Sequence, residues 1–298
     1  MKKLSQKFNY KHSLGQNFII DEFLLEDIAD ESKINKSDLV LEIGPGNGAL
    51  TKCLSDRAKH VVSVEIDKSL LPLLKSNLKE YKNVSIINAD FMKLDFQTIL
   101  DKFNHVNEKN HKDELNYGGE HYKPAFKIKV VANLPYYITS PIINLLLLNP
   151  YISEMTLMVQ KEVAERIVAA PGSKDYGILT LSCNYFSDTE MIMVVSKECF
   201  FPKPKVDSAV VHFIKKSEFI DISNYNNFHI EDDEKYKKLF KLIKASFAQR
   251  RKKLLNSLIN AGYDKNLLTA AFSKLGFEDN VRAENLSLSE YQKLASII

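Results

Sequence analysis

The run Leu39-Val-Leu-Glu-Ile-Gly-Pro-Gly-Asn-Gly-Ala-Leu-Thr51 constrains this chain more than any other. Five residues of strand composition lead into glycines at 44, 46 and 48, and a helical pattern starts at once. Glycine permits backbone angles and close approaches that a Cβ forbids, so the turn is built for tightness. The next strand-like run ends on Glu65, 21 positions after Gly44. That spacing suits a carboxylate accepting hydrogen bonds from ribose hydroxyls. Asp90 closes the following run, where a carboxylate can accept a hydrogen bond from an adenine amino group. In open parallel sheets ligands bind beyond the carboxyl ends of the strands, where all three features fall. The loop is G-x-G-x-G and lacks the last glycine of the dinucleotide fingerprint. Glu42, just before it, repels a pyrophosphate and attracts a sulfonium or an amino group. The residues therefore favour S-adenosylmethionine over NAD. Glu42, Gly44, Gly46, Glu65 and Asp90 are the expected contacts, with Ile66 and Phe91 beside the last two.

Strand and helix signals alternate over the first two thirds of the chain. Apolar, β-branched-rich runs occur at Leu39–Ile43, Val61–Ile66, Val84–Asn88, Ile128–Ala132, Met155–Val159, Met191–Val195 and Ala209–Ile214. Helical patterns such as Ala49–Arg57 and Ser69–Tyr81 lie between most of them. This order predicts an α/β fold, Rossmann-like in its alternation, with a mostly parallel seven-stranded sheet covered on both faces. The last two strands have no helix between them and are expected to pair antiparallel. At 298 residues the chain has room for two domains. Residues 217–233 carry five acidic side chains and no Lys or Arg, and read as a linker. Residues 234–298 hold thirteen Lys or Arg against six Asp or Glu. They show four helical patterns (Glu234–Gln249, Lys252–Ala261, Asn266–Leu275, Ser289–Ile298), with Gly262 and Gly276 at two expected ends. The expected division is thus a catalytic domain at 1–216, the acidic linker at 217–233 and a small C-terminal helical domain at 234–298. A polar stretch at about 104–125 reads as a surface insertion.

Composition excludes several classes. No apolar run reaches the roughly 20 residues that span a bilayer, and the basic N-terminus lacks the apolar core of a signal peptide. Neither a membrane location nor a membrane partner is expected. Cys53, Cys183 and Cys199 are scattered and odd in number, which argues against a disulfide framework and for a reducing cytoplasm. His105, His111 and His121 lack metal-ligand spacing, and no metal is expected.

The chemistry points to Asn133-Leu-Pro-Tyr136, after the fourth strand. The exocyclic amine of adenine is a poor nucleophile because its lone pair is delocalised into the ring. Two acceptors can draw its N–H bonds toward them and turn the nitrogen toward sp³. The Asn133 side-chain oxygen and the Leu134 carbonyl suit that role, Pro135 stiffens the turn, and Tyr136 can stack on the base. No strong general base is needed, because the amine becomes acidic once alkylated. A second aromatic element, Phe200-Phe-Pro-Lys-Pro-Lys-Val-Asp-Ser208, is a stiff loop whose phenylalanines can close on a flipped base. One of the two is expected to pack into the core.

These motifs fall in a familiar order: LGQNF at 14–18, EIGPGNGALT at 42–51, NADF at 88–91, NLPYYITSPI at 133–142, QKEVAERI at 160–167, KDYGILT at 174–180, FFPKPKVDSAV at 200–210 and FAQRRKKLLNSL at 247–258. Over nearly its whole length the chain resembles the bacterial KsgA-type ribosomal RNA adenine dimethyltransferases. The resemblance implies transfer of two methyl groups to N6 of each of two adjacent adenines, in the 3′-terminal hairpin loop of 16S rRNA within the immature 30S subunit. It adds Asn17 and Ile19 as cofactor contacts, with Gln16 at the same entrance, and gives Asn133 a part in the cofactor site as well. It places Asn133, Leu134 and Tyr136 on the target base, with Phe200 on its other face. The insert at 104–125 is longer than the family's usual connection.

A basic cluster that includes Lys244, Arg250, Arg251, Lys252 and Lys253 is available for RNA phosphates, and Lys203 and Lys205 flank the aromatic loop. The bland alternative is a solvated helix face. Lys2, Lys3, Lys7, Lys11 and His12 offer a second basic strip. Two other functions compete: a 23S rRNA methyltransferase of the macrolide-resistance type, and a mainly structural small-subunit assembly factor. A DNA adenine methyltransferase fits less well, since those enzymes usually carry Asp or Asn followed by Pro-Pro-Tyr. Nothing suggests an obligate oligomer, and a monomer is expected.

Overall fold

In the computed structural model, which describes residues 16–110, 127–220 and 233–298 (side chains of 105–110 excepted), the seven strand signals join in one sheet. In chain order the elements are β1 (Phe18–Ile19), α1 (Glu22–Glu31), β2 (Leu39–Ile43), α2 (Ala49–Arg57), β3 (His60–Glu65), α3 (Leu71–Asn77), β4 (Val84–Asn88), α4 (Phe96–Asn110), β5 (Ile128–Asn133), α5 (Thr139–Leu148), β6 (Ile152–Gln160), α6 (Lys161–Ile167), α7 (Ile178–Phe186), β7 (Ser187–Val195), β8 (Phe200–Phe201) and β9 (Ser208–Lys215). After these come α8 (Glu234–Phe247), α9 (Leu254–Asn260), α10 (Lys265–Leu275) and α11 (Leu288–Ile297). The sheet order is β4-β3-β2-β5-β6-β9-β7. β4, β3, β2, β5 and β6 are parallel, and β9 runs antiparallel to β6. β7 and β9, the last two strand signals, are neighbours.

β2 and β3 are buried along their whole lengths, as strands covered on both faces must be. From β2 the chain steps outward to β3 and β4, then returns to place β5 on the other side of β2. That reversal opens a crevice at the carboxyl ends of β2 and β5. Local signals set several boundaries. Asp21 caps α1 by accepting from the Phe23 and Leu24 N–H groups. Gly276, in the left-handed conformation, ends α10. β1 and β8 form a separate two-stranded ribbon that the sequence patterns do not reveal.

The sheet-bearing unit comprises Met1–Ala164 and Glu190–Ser223. The helical unit comprises Glu165–Thr189 and Asn224–Ile298. A continuous catalytic domain at 1–216 therefore needs correction. Tyr176 and Leu181 are buried with Leu239, Ile243, Leu254 and Leu258 in the helical core, and apolar burial assigns a segment to its core whatever its place in the chain. Another correction concerns 104–125. Ile99, Leu100 and Phe103 are fully buried at helical spacing, and α4 continues through Asn110, so the start of the expected insertion is helix. Residues 111–125 lie outside the described residues, as do most of the expected linker and the basic strip at 2–12. At the near end of the linker, Ser217–Phe219 is a 3₁₀ turn with Phe219 buried. Among the described residues no helix is long and apolar enough to cross a membrane.

Candidate active site

One cavity lies at the carboxyl ends of β2 and β5. Gln16, Asn17, Ile19, Glu42, Gly44, Gly46, Glu65, Ile66, Asp90 and Phe91 line it, and so do Asn133, Leu134, Pro135 and Tyr136. Glu42 to Gly46, Glu65 and Ile66, Asp90 and Phe91, and Asn133 to Tyr136 meet there because each group lies at or just past the carboxyl end of a parallel strand, while Gln16, Asn17 and Ile19 come from β1 and the residues before it, outside the sheet.

The glycine loop is tight for a specific reason. Gly46 has φ 60°, and a Cβ on it would sit 2.7 Å from a ring carbon of Phe18. Only glycine fits both the left-handed backbone and the ring above it. Phe18 is thus part of the cavity wall, although sequence reasoning passed over it inside LGQNF. Its aromatic character between two expected contacts was the available signal.

Two buried carboxylates flank the loop. Glu65 accepts the Gly46 N–H on Oε2 at 3.1 Å and the Asp67 N–H on Oε1 at 2.8 Å. Burial pushes its pKa up, and those two donors counter part of the rise. Each carboxylate oxygen keeps a second lone pair, so the group can still accept from a ribose hydroxyl. Glu42, 1% exposed, takes the Thr51 and Ser63 hydroxyls on Oε2 at 2.6 and 2.8 Å. Desolvation raises its pKa to about 7, against those hydrogen bonds and with help from the Glu65 charge. Asp90 caps the turn at Phe91–Lys93 by accepting the Met92 N–H at 3.1 Å, and its Oδ2 lies 3.7 Å from Lys93 Nζ. The Gln16 side chain donates to Asp67 Oδ2 at 2.8 Å, which fastens the LGQNF segment to the end of β3.

The segment after β5 is pinned at each step. Asn133 Nδ2 donates to the Asn17 carbonyl at 3.1 Å. A carbonyl can only accept, so the amide has one orientation and Oδ1 is left as its acceptor. The Leu134 N–H donates to the Met158 carbonyl at 3.0 Å. Thr139 Oγ1 donates to the Pro135 carbonyl at 3.0 Å. The Tyr136 hydroxyl lies 2.7 Å from Ser208 Oγ, a fully buried group at the start of β9. Burial raises the Tyr136 pKa, so the phenol stays protonated. Ser208 and Asn17 are supporting residues that the sequence reading did not assign to these contacts.

Phe200 requires a correction. It is 2% exposed, belongs to the core cluster around Ile19, Leu24 and Leu25, and does not line the cavity. It pairs with Ile19 across the β1–β8 ribbon, so both side chains point inward. Phe201 is the exposed member of the pair, at 44%. Of the basic residues, Lys203 forms an ion pair with Glu198, and Lys205 is exposed. In the helical unit Lys244, Arg251, Lys252 and Lys253 are exposed. Arg250 also reaches the surface, but its Nη2 donates to the carbonyls of Lys174 and Tyr176 at 2.9 and 3.0 Å, which holds that loop to the helices.

Comparison with known proteins agrees with this geometry. The family model described as ribosomal RNA adenine dimethylase matches residues 7–298. The ribosomal RNA small subunit methyltransferase A of Clostridium botulinum (strain Loch Maree / Type A3) is 41% identical over 98% of this chain and 95% of the relative. The protein of the same name from Lachnoclostridium phytofermentans is 44% identical over 98% of this chain and 92% of the relative. A dimethyladenosine transferase from Plasmodium falciparum superposes with a TM-score of 0.70 at 26% identity, covering 93% of this chain and 95% of that one. The 23S rRNA methyltransferase ErmE shares the fold at a TM-score of 0.66 and 24% identity, over 94% of this chain and 98% of that one. The chain belongs to the ribosomal RNA adenine dimethylase family, and its fold and cofactor class are those of the S-adenosylmethionine-dependent rRNA methyltransferases.

Proposed function

We propose that the protein dimethylates N6 of two adjacent adenines in the 3′-terminal hairpin loop of 16S rRNA. It does so as a monomer, in the cytoplasm, on the immature small subunit. The observation that carries this reading is the Asn133 amide, locked with its oxygen as the acceptor in the cavity that also holds the glycine loop. S-adenosylmethionine, when bound, supplies a methyl group on a sulfonium centre. Glu65 and Asp90 supply acceptors for its ribose and adenine, and Gly44 and Gly46 let the backbone come close. Asn133 Oδ1 and the Leu134 carbonyl accept the two N–H bonds of the target amine, which frees its lone pair. Tyr136 holds the base by its ring. Positioning and fixed dipoles do most of this work.

The test is mass spectrometry of small-subunit rRNA from cells with and without the protein. Two neighbouring dimethyladenosines should appear only with it. Methylation of 23S rRNA alone would select the resistance-type reading, which the relatives at 41% and 44% identity do not favour. The role of Tyr136 has its own check. Ser208→Ala leaves the tyrosine hydroxyl half-buried without its partner, a loss of about 1–3 kcal/mol for an unsatisfied group. The ring then loses its anchor. KM for RNA should rise severalfold while the cofactor Kd, read by calorimetry, stays unchanged. An unaltered KM would mean that the serine does not set the ring.

A further inference from the structure

Alternation along the β1–β8 ribbon sorts its side chains onto two faces. In an antiparallel pair, opposed residues share a face and successive residues switch faces. Ile19 and Phe200 are opposed and buried, at 8% and 2% exposure. Phe18 and Phe201 are opposed on the other face. Ile20 extends that face by one residue, held by its N–H to the Cys199 carbonyl at 2.9 Å. It is 55% exposed, and Phe23, three residues on, is 85% exposed. Single exposed apolar residues are ordinary, but two adjacent strands presenting them on one face make a patch.

This face is continuous with the cavity. Phe18 lines the cavity and stands over Gly46, and Phe201 lies one strand spacing away, about 5 Å. Just beyond Phe201 are the exposed Lys203 and Lys205. An exposed aromatic ring with the Lys205 ammonium close behind it, one nucleotide's reach from the site, has the chemistry of a platform for unpaired bases in a single strand. Lys203 is already paired with Glu198, but a purely apolar protein partner would cover the exposed Lys205 ammonium with no complementary charge.

We propose that Phe201, with Ile20 beside it, holds the unpaired base next to the one being methylated. This rests on the reading of the cavity as an adenine N6 site and extends it. While one base occupies the slot at Tyr136, its neighbour stacks outside, so the strand is gripped at two successive nucleotides. Stacking tolerates any base, so the platform adds grip without adding sequence preference.

The test uses a hairpin RNA with 2-aminopurine at the position adjacent to the methylated adenine, titrated with protein and S-adenosylhomocysteine. With the wild-type chain the probe should be quenched by stacking. Phe201→Ala should abolish the quench and weaken RNA binding about tenfold, the effect of losing one stacked base. Its cofactor Kd should not change. Phe201→Trp should restore both signals, which a loss of folding could not do. An unchanged quench and RNA affinity in Phe201→Ala would overturn the platform, while methylation of the hairpin by the wild type would leave the reading of the cavity standing. If the wild type methylates neither this hairpin nor intact 30S subunits, both fall together.

Discussion

Asn133→Ala should lower kcat for adenine methylation by about 10²–10³, the loss seen when one preorganised polar contact to a reacting centre is removed. The physical reason is the singleness of the amide's orientation. Nδ2 is spent on the Asn17 carbonyl, so Oδ1 is the acceptor that meets an incoming amine. Without it the target nitrogen keeps its lone pair in the ring. The cofactor Kd should change far less than kcat, even though Asn133 helps seat the Asn17 segment. Single-turnover transfer to unmethylated 30S subunits at saturating cofactor separates the two. A kcat within threefold of wild type would remove the amide from the mechanism. The same variant addresses the assembly-factor alternative: if it binds 30S and fully supports subunit maturation, the protein's contact with the subunit matters apart from its chemistry.

Glu42→Gln should stabilise the cofactor-free protein above pH 7 and weaken its hold on S-adenosylmethionine. The folded Glu42 keeps its proton up to about pH 7, whereas an unfolded glutamate loses it near 4.5. Between those values the folded state binds more protons, so stability falls as pH rises through the window. The penalty is complete above about pH 7 and amounts to about 3 kcal/mol. Glutamine carries no such penalty, and the Thr51 and Ser63 hydroxyls can rotate to suit it. The melting temperature of the variant should therefore exceed that of wild type at pH 8 and match it at pH 5. Affinity should move the other way. Wild-type binding of the sulfonium should strengthen as pH rises through 7, while binding of the neutral thioether S-adenosylhomocysteine responds less. The variant should lose this difference. Equal pH profiles for both ligands in the wild type would show that the Glu42 charge does not reach the cofactor.

Much of the site was legible because its signals are local. A strand ending in glycines, a carboxylate ending the next strand and a proline-stiffened turn each declare themselves within a few residues. All three lie at the same edge of a parallel sheet, so their meeting follows from the topology once the strands are identified. The supporting contacts were not legible. Phe18 against Gly46, Ser208 against Tyr136 and Gln16 against Asp67 join segments by distances that no local pattern encodes. The helical unit shows the same limit. Its four C-terminal helices are visible as periodic patterns, but α7 falls inside the expected catalytic domain because the sequence marks a boundary only at the acidic stretch 217–233, and burial in the helical core leaves no local sign.

By itself, then, the sequence determined the α/β fold, the order of the site motifs and the kind of cofactor they take, since periodicity, glycine placement and the spacing of charges are properties of short segments. Tertiary structure alone decided which phenylalanine is buried, which oxygen Asn133 presents and where the two units divide. Phe200 and Phe201 are chemically identical, and only the pairing of Phe200 with Ile19 sends one inward and the other out. The orientation of the Asn133 amide is set by a carbonyl 116 positions earlier in the chain. Choices of that kind depend on which surfaces meet after folding, and neighbouring residues carry no record of them.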